Sequence, residues 1–569
     1  MQRNLQAFSK ERFDLLVIGG GIYGACVAWE ASLQGLSGAL VEKSDFGGGT
    51  SANSLKIVHG GLRYLQTADV KRMRESIRER QTLMRIAPHL VHPLPILVPT
   101  YGHGIKGKTA LSIALKINDL LSYDLVFAPL RDGHHLQNPQ KQILPGRIIS
   151  PEICQKLAPG IDAQGLTGGA IFYDAQMYNS ERLTLAFVQS AAQAGATVAN
   201  YLAVVDFLHT RGQIQGVRVQ DTLTGEQFEI RAKALVNTSG PWLNQVLGLL
   251  PTPRPKQPFA RAMNLVLRRS LFDTYAVALK SPSGQSNSDD LRQQGSRMLF
   301  VTPWRGRSMV GTAYSVCGQD PDDWQVTDAD IEAFLTQINQ AYPSAQLTRA
   351  DVAFVHSGLL PQSGVSRAGD PRLTKQYQIQ DHGRDGYSGL FSVVGVKYTT
   401  ARDVAQKVMK RVFRSWGQTP PPSRSAVTPI SGGNIADMDL FLQQAMAQQL
   451  LNLDSQPLDS QPLAPQPLDP QTVQSLVYNY GCTYRDMLGY ARVEPDWVLK
   501  AQIRYAVREE MAQTLSDVLF RRTELASAGD LSADSIQLCA EVMAEELGWS
   551  HTQTQQQLNL TTRPSLVTV

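Results

Sequence analysis

The chain has 569 residues, 43% of them hydrophobic and 18% charged, a composition that provides for several packed domains. A formal net charge of +4 with no long basic run argues against a nucleic-acid partner. Its five cysteines are scattered, with no C-x-x-C pair and no metal-ligand spacing; no run of about 20 apolar residues spans a bilayer; and the polar opening MQRNLQAFSKERFD lacks a signal-peptide core, so a reducing, cytoplasmic setting is expected.

The first element is a strand over Leu15-Leu16-Val17-Ile18, short, branched and bounded by glycines, as suits a strand buried on both faces of a parallel sheet. Gly19, Gly21 and Gly24 follow at the spacing G-x-G-x-x-G. Gly19 allows the tight bend, Gly21 lets the backbone approach a pyrophosphate, and Gly24 lets helix and strand pack closely. The helix starting near Ile22 points its free N–H groups and positive dipole end at the phosphates. Glu42, at the end of the strand Gly38-Ala39-Leu40-Val41, is placed to accept hydrogen bonds from an adenosine ribose. The unit predicts a bound dinucleotide, FAD or NAD. Cys26, inside the helix, is expected to pack rather than react.

The next stretch, Phe46 to Leu65, offers the hydroxyls of Thr50, Ser51 and Ser54 and the close backbone approach of Gly60-Gly61, then the polar ends of His59, Arg63 and Tyr64. Its segment Lys56-Ile57-Val58-His59-Gly60-Gly61-Leu62-Arg63-Tyr64-Leu65 resembles the K-L-I-H-G-G-L-R-Y-L of the FAD-dependent glycerol-3-phosphate dehydrogenases, within the D-amino-acid-oxidase-like flavoproteins. The resemblance implies FAD as cofactor, with this loop running along the flavin to the substrate chamber. Thr50, Ser51, Ser54, Gly61 and Leu62 are then expected cofactor contacts.

Val70 to Ile86 reads as a helix whose arginines, interleaved with Glu75 and Glu79, form a solvated face. Pro88, Pro93, Pro95 and Pro99 mark an extended crossing. Leu111 to Leu130 is a further amphipathic candidate, read as core-facing because its polar face is not basic. Asp174 to Val198 contains a helix ending at Gly195, and its entry Asn179-Ser180-Glu181-Arg182-Leu183 resembles the family's D-D-A-R-L. Val236-Asn237-Thr238-Ser239-Gly240-Pro241-Trp242 resembles V-N-A-T-G-P-W and brings Gly240 to the cofactor at a strand's carboxyl end.

From Pro251 to Arg349, apolar runs at Met263–Leu267, Met298–Val301 and Met309–Gly311 suggest an antiparallel sheet, interrupted by the polar stretch 281–295. Leu390 to Val404 resembles L-S-V-F-G-G-K-L-T-T. It supplies Gly395, a helix start that favours negative charge on the reduced flavin, and Lys397 near flavin and substrate. Beyond Arg414, a Gln-Pro-Leu repeat over 454–471 interrupts helical patterns in which Phe520-Arg521-Arg522-Thr523 resembles W-R-R-T.

The fold expected is α/β. A Rossmann-like FAD-binding domain is discontinuous over 13–96, 147–250 and 355–416, a mixed α+β substrate domain covers 97–146 and 251–354, and a C-terminal helical domain covers 425–569 with the insertion 454–471. The resemblance implies oxidation of sn-glycerol 3-phosphate to dihydroxyacetone phosphate by hydride transfer to FAD. Electrons would pass to quinone from a peripheral position on the inner face of a membrane, with a homodimer as the assembly to test. Arg63 is the anion-binding candidate, Lys397 the electrostatic or proton-handling group, and His59 and His356 the candidate bases. Leu360, Asn264 and Lys375 stand where the family has arginine, histidine and arginine, and Val396 replaces a glycine beside the flavin. These departures leave two alternatives: a related flavoenzyme for another small hydroxy or amino acid, or a flavin-binding protein with impaired catalysis.

Overall fold

The computed structural model describes residues 1–61, 69–102, 111–112, 115–117, 119, 143–280, 298–318, 320–323, 325–366, 369–451, 466–529 and 531–561. Arg63 and Leu62 lie outside the described residues, as do most of 111–130, the stretch 281–295 and most of the 454–471 repeat.

Strand β1 (Arg12–Ile18) leads through a glycine turn into helix α1 (Ile22–Leu33) and strand β2 (Gly38–Val41). β1 is parallel to β2 on one side and to β3 (Gln227–Asn237) on the other, and β3 is parallel to β4 (Leu390–Val394). The order across this sheet is Gln378–Asp381, β4, β3, β1, β2, Thr197–Ala199. β1 therefore has neighbours on both edges, and side chains packed on both faces of its second half, which is why Leu15-Leu16-Val17-Ile18 is a continuous apolar run. Helix α1, the helix Ser180–Gln193 and helix α2 (Ala401–Ser415) contribute to one core through Ala28, Trp29, Phe187, Val404 and Val408.

The second sheet runs Pro371–Leu373, Val352–Val365, Phe259–Leu267, Arg307–Val316, Met298–Trp304, Ala276–Lys280, Val91–Tyr101, Leu166–Met177, Ile57–Val58. Its pairings are antiparallel apart from Ala276–Lys280 with Val91–Tyr101, in agreement with the alternation in the sequence. One face packs on helix Asp328–Ala341 through Ile331, Phe334, Leu335 and Ile338. Ile57–Val58 and Leu166–Met177, assigned by sequence to the FAD-binding domain, and Val91–Tyr101, which runs across the expected boundary at residue 96, are hydrogen-bonded into this second sheet. Apolar periodicity marks a strand but not its partner.

The C-terminal region is helical, with Pro470–Tyr480, Trp497–Glu510 and Ala533–Leu547 among its longer helices. It is fastened to the rest of the chain by buried charge. Asp45, just beyond β2, takes a bidentate pair from Arg522 at 2.8 Å to each oxygen and a third bond from Arg521, while Arg182 bonds Glu510 at 2.7 Å. Burial would raise the Asp45 carboxyl, yet Arg522 and Arg521 hold it down at about 2. No helix of the described residues is long and apolar enough to cross a membrane.

The helix Val70–Ile86 forms with the expected ends, but its charged face is not all solvated. Glu79 is fully buried and held by Arg402 at 2.5 and 2.7 Å, and Arg80 is buried against Asp174 and the Tyr173 carbonyl. An interleaved charge pattern looks the same whether its partners are water or another helix.

Candidate active site

The carboxyl ends of four adjacent parallel strands carry the predicted cofactor residues: Gly19–Gly24 after β1, Glu42 after β2, Gly240 after β3 and Gly395 after β4. An open parallel sheet binds ligands along this edge. Gly19 has φ +101°, and a Cβ there would lie 2.8 Å from the Ser239 backbone. A Cβ on Gly24 would collide with the Gly19 carbonyl oxygen, so close helix–strand packing requires glycine. Gly21 caps α1 with extended backbone, and Ser51 Oγ accepts the Ile22 N–H at 2.9 Å, so loop and helix start are already joined. This glycine-lined helix N-terminus fits the pyrophosphate of a dinucleotide.

Glu42 is turned onto the same loop, accepting the Gly20 N–H at 2.7 Å and the Ser44 N–H at 2.9 Å. Burial raises its pKa against the pull of those bonds. Its Oε1 also accepts the Ser44 hydroxyl at 3.1 Å, while Oε2, holding the Gly20 N–H, has a second lone pair for a ribose hydroxyl. Gly240 has φ +58° and nothing within 4 Å of where a Cβ would stand.

The loop 50–56 lies against the second sheet. Thr50 Oγ1 donates to the Leu359 carbonyl at 2.9 Å and accepts the Leu359 N–H at 3.2 Å, so this hydroxyl ties loop to strand. Ser54 Oγ accepts the Lys56 N–H at 3.2 Å. Lys56 is wholly buried, its ammonium donating to Glu181 at 2.6 Å, Ser180 Oγ at 3.0 Å and the Ala52 carbonyl at 3.2 Å. Burial lowers its pKa, opposed by Glu181.

His59 follows this loop, its side chain half exposed, with Nδ1 at 3.1 Å from Asp174 Oδ2 and its ring 5.8 Å from that of Phe300. Asp174 also accepts the Gly60 N–H at 2.7 Å and an Arg80 N–H at 3.0 Å. Burial would raise the Asp174 carboxyl, but His59, Arg80 and the Gly60 N–H together hold it below the ordinary range. It is therefore an ionised carboxylate that orients the imidazole, an arrangement suited to a general base. Gly61, buried with φ +90°, carries the chain onward toward Leu62 and Arg63.

His356 sits in a different environment. It is 3% exposed, contacts Asn53 Oδ1 at 3.4 Å through Nδ1, and burial, with Lys56 and Arg305 nearby, pushes its pKa well down. It is a neutral core histidine. Asn264, paired across the strands with His356, accepts the Thr312 hydroxyl at 2.8 Å and is 2% exposed. Leu360 lies in register with Ala260 in the same sheet, and the Lys375 carbonyl accepts an Arg72 N–H at 3.1 Å.

Lys397 stands in the turn between β4 and α2. Its backbone is held by Tyr23, the second residue of α1, whose hydroxyl donates to the Lys397 carbonyl at 2.7 Å. Asp174, Arg80 and Tyr23 are the residues that sequence reasoning passed over. An aspartate inside the apolar run Ala170 to Ala175 was the available signal for the first. A separate cavity of about 460 Å³ between Pro93–Pro95 and the hairpin at Trp304–Arg307 includes none of the predicted site residues.

A glycine-cradled parallel edge, closed over by an antiparallel sheet that presents a carboxylate-oriented histidine, is the architecture of a flavin-dependent oxidoreductase. Residues 14–399 match the family of FAD dependent oxidoreductases, and residues 423–554 match the C-terminal domain of alpha-glycerophosphate oxidase. A glycerol-3-phosphate dehydrogenase of Synechocystis sp. is 31% identical over 575 residues, covering 98% of this chain and 97% of that protein. An aerobic glycerol-3-phosphate dehydrogenase of Staphylococcus haemolyticus is 28% identical over 92% of this chain and 88% of its own length. The crystal structure of the Bacillus halodurans glycerol-3-phosphate dehydrogenase complexed with FAD has the same fold, with a TM-score of 0.76 at 24% identity over 99% of this chain and 97% of that one. The chain belongs to the FAD-dependent oxidoreductases, in their glycerol-3-phosphate dehydrogenase branch, and FAD is its cofactor.

Proposed function

We propose that this enzyme oxidises sn-glycerol 3-phosphate to dihydroxyacetone phosphate and passes the electrons to a quinone. Likeness to the Synechocystis dehydrogenase along nearly the whole of both chains supports this substrate. FAD, when bound, supplies the two-electron acceptor. His59, oriented by Asp174, takes the proton of the secondary hydroxyl, and the Asp174 charge stabilises the imidazolium that results. Lys397 provides positive charge at the reacting end, and Arg63 binds the phosphate. Gly19, Gly21, Gly24, Glu42, Thr50, Ser51, Ser54, Gly61, Leu62, Gly240 and Gly395 line the cofactor. The three-part division into FAD-binding, substrate and C-terminal helical domains belongs to the same reading, as do peripheral contact with the inner face of a membrane and a homodimer.

A second reading is favoured by one set of observations. Leu360 and Asn264 bring no cation and no titrating base to the second sheet, and Asn264 is committed to Thr312. A small hydroxy or amino acid without a phosphate asks for fewer cations. Purified enzyme with glycerol 3-phosphate and a soluble quinone analogue is expected to form dihydroxyacetone phosphate. No product there, together with turnover of a phosphate-free hydroxy or amino acid, transfers the assignment to the second reading.

A further inference from the structure

Tyr23 occupies the second of the two variable positions between Gly21 and Gly24, where the turn itself asks only for a residue that continues the helix. Its hydroxyl instead makes three bonds across 374 residues of sequence: it donates to the Lys397 carbonyl at 2.7 Å and accepts the N–H groups of Val396 and Lys397 at 3.2 Å each. The ring lies flat against Gly395, where any Cβ would run into it, so the glycine there makes room for tyrosine. Burial pushes the phenol up to about 12, against the opposing pull of the two N–H bonds. It therefore stays a neutral hydroxyl that both donates and accepts.

The strand order places this brace on the cofactor. Glu42 puts the adenosine end at β2 and the glycine turn puts the pyrophosphate at β1, so the rest of the cofactor extends toward β3 and β4, where the 395–397 turn lies. α1 and this turn would thus hold successive parts of one ligand, and Tyr23 bonds the helix to the turn. We propose that Tyr23 is a positioning residue that fixes Lys397 against the redox half of FAD. The proposal rests on the reading of Lys397 as the positive charge at the reacting end.

The test uses FAD-loaded enzyme and sulfite, an anion whose binding is read as loss of the yellow flavin absorbance. Tyr23→Phe keeps the ring on Gly395 and removes only the hydroxyl. It is expected to retain FAD and to bind sulfite about tenfold more weakly, because a displaced charge stabilises the anion less well. Lys397→Met is expected to weaken sulfite at least as much, and the double variant no further than Lys397→Met alone, since both changes remove one interaction. Sulfite affinity of Tyr23→Phe within twofold of wild type, or losses that add in the double variant, overturns the proposal while leaving Lys397 in its role. Unchanged affinity in Lys397→Met overturns that role and the proposal with it. Failure of Tyr23→Phe to load FAD overturns the proposal as well, since the hydroxyl would then hold the cofactor site as a whole rather than Lys397.

Discussion

The carboxyl edge of the parallel sheet and the inner face of the antiparallel sheet meet along the loop 50–56, and different physics specifies each. The first is built of backbone. Gly19, Gly24 and Gly395 are there because a Cβ would strike Ser239, the Gly19 carbonyl or the Tyr23 ring. The second is built of side chains brought from distant strands: His59 from one edge, Asp174 from its neighbour and Arg80 from a helix. A backbone site fails by steric exclusion, all at once; a side-chain site fails in steps, one hydrogen bond at a time.

Substitutions on either side of the loop should separate the two kinds of failure. Gly24→Val forces α1 off β1 and should leave protein without FAD, a loss read directly from the flavin absorbance of the purified chain. At the junction, Glu181→Gln leaves the buried Lys56 ammonium without its counter-charge, and urea unfolding should show a loss of about 3–5 kcal/mol. On the side-chain face, Asp174→Asn should retain FAD and lower kcat by about 100-fold, because the imidazole loses the carboxylate that orients it. Equal loss of FAD in Asp174→Asn would erase the distinction.

The smallest effect is one of pH. Asp45 has its folded pKa depressed to about 2 from 3.8 by Arg522 and Arg521 against the cost of burial, so its contribution is complete above pH 3.8 and disappears as pH falls through 2. Linkage sets that contribution at about 2 kcal/mol. Urea midpoints followed from pH 5 downward should fall over this window, and Asp45→Asn should flatten the fall.

The glycine turn, Glu42 and the strands around them were legible because steric demands restrict which residues a turn accepts, and that restriction appears locally in sequence. His59 enters as a candidate through its motif, but its partner Asp174 is 115 residues away and no local pattern joins them. Glu79 was misread for the same reason: Arg402, which buries it, is 323 residues distant. Tyr23 sits inside the most readable motif of the chain, yet its role depends on a turn that arrives only when β4 pairs beside β3. Arrangement within one element is written locally, whereas which elements share an edge is decided by the pairing of whole strands.

In the proposed enzyme, an FAD edge held by backbone faces a site for glycerol 3-phosphate. Anaerobic mixing of the purified enzyme with glycerol 3-phosphate tests it most directly. The expected result is rapid and complete bleaching of the flavin at 450 nm, about the usual absorbance maximum of an oxidised flavin, slowed about 100-fold in Asp174→Asn. A flavin that stays yellow with glycerol 3-phosphate but bleaches with a phosphate-free hydroxy acid or an amino acid would contradict it.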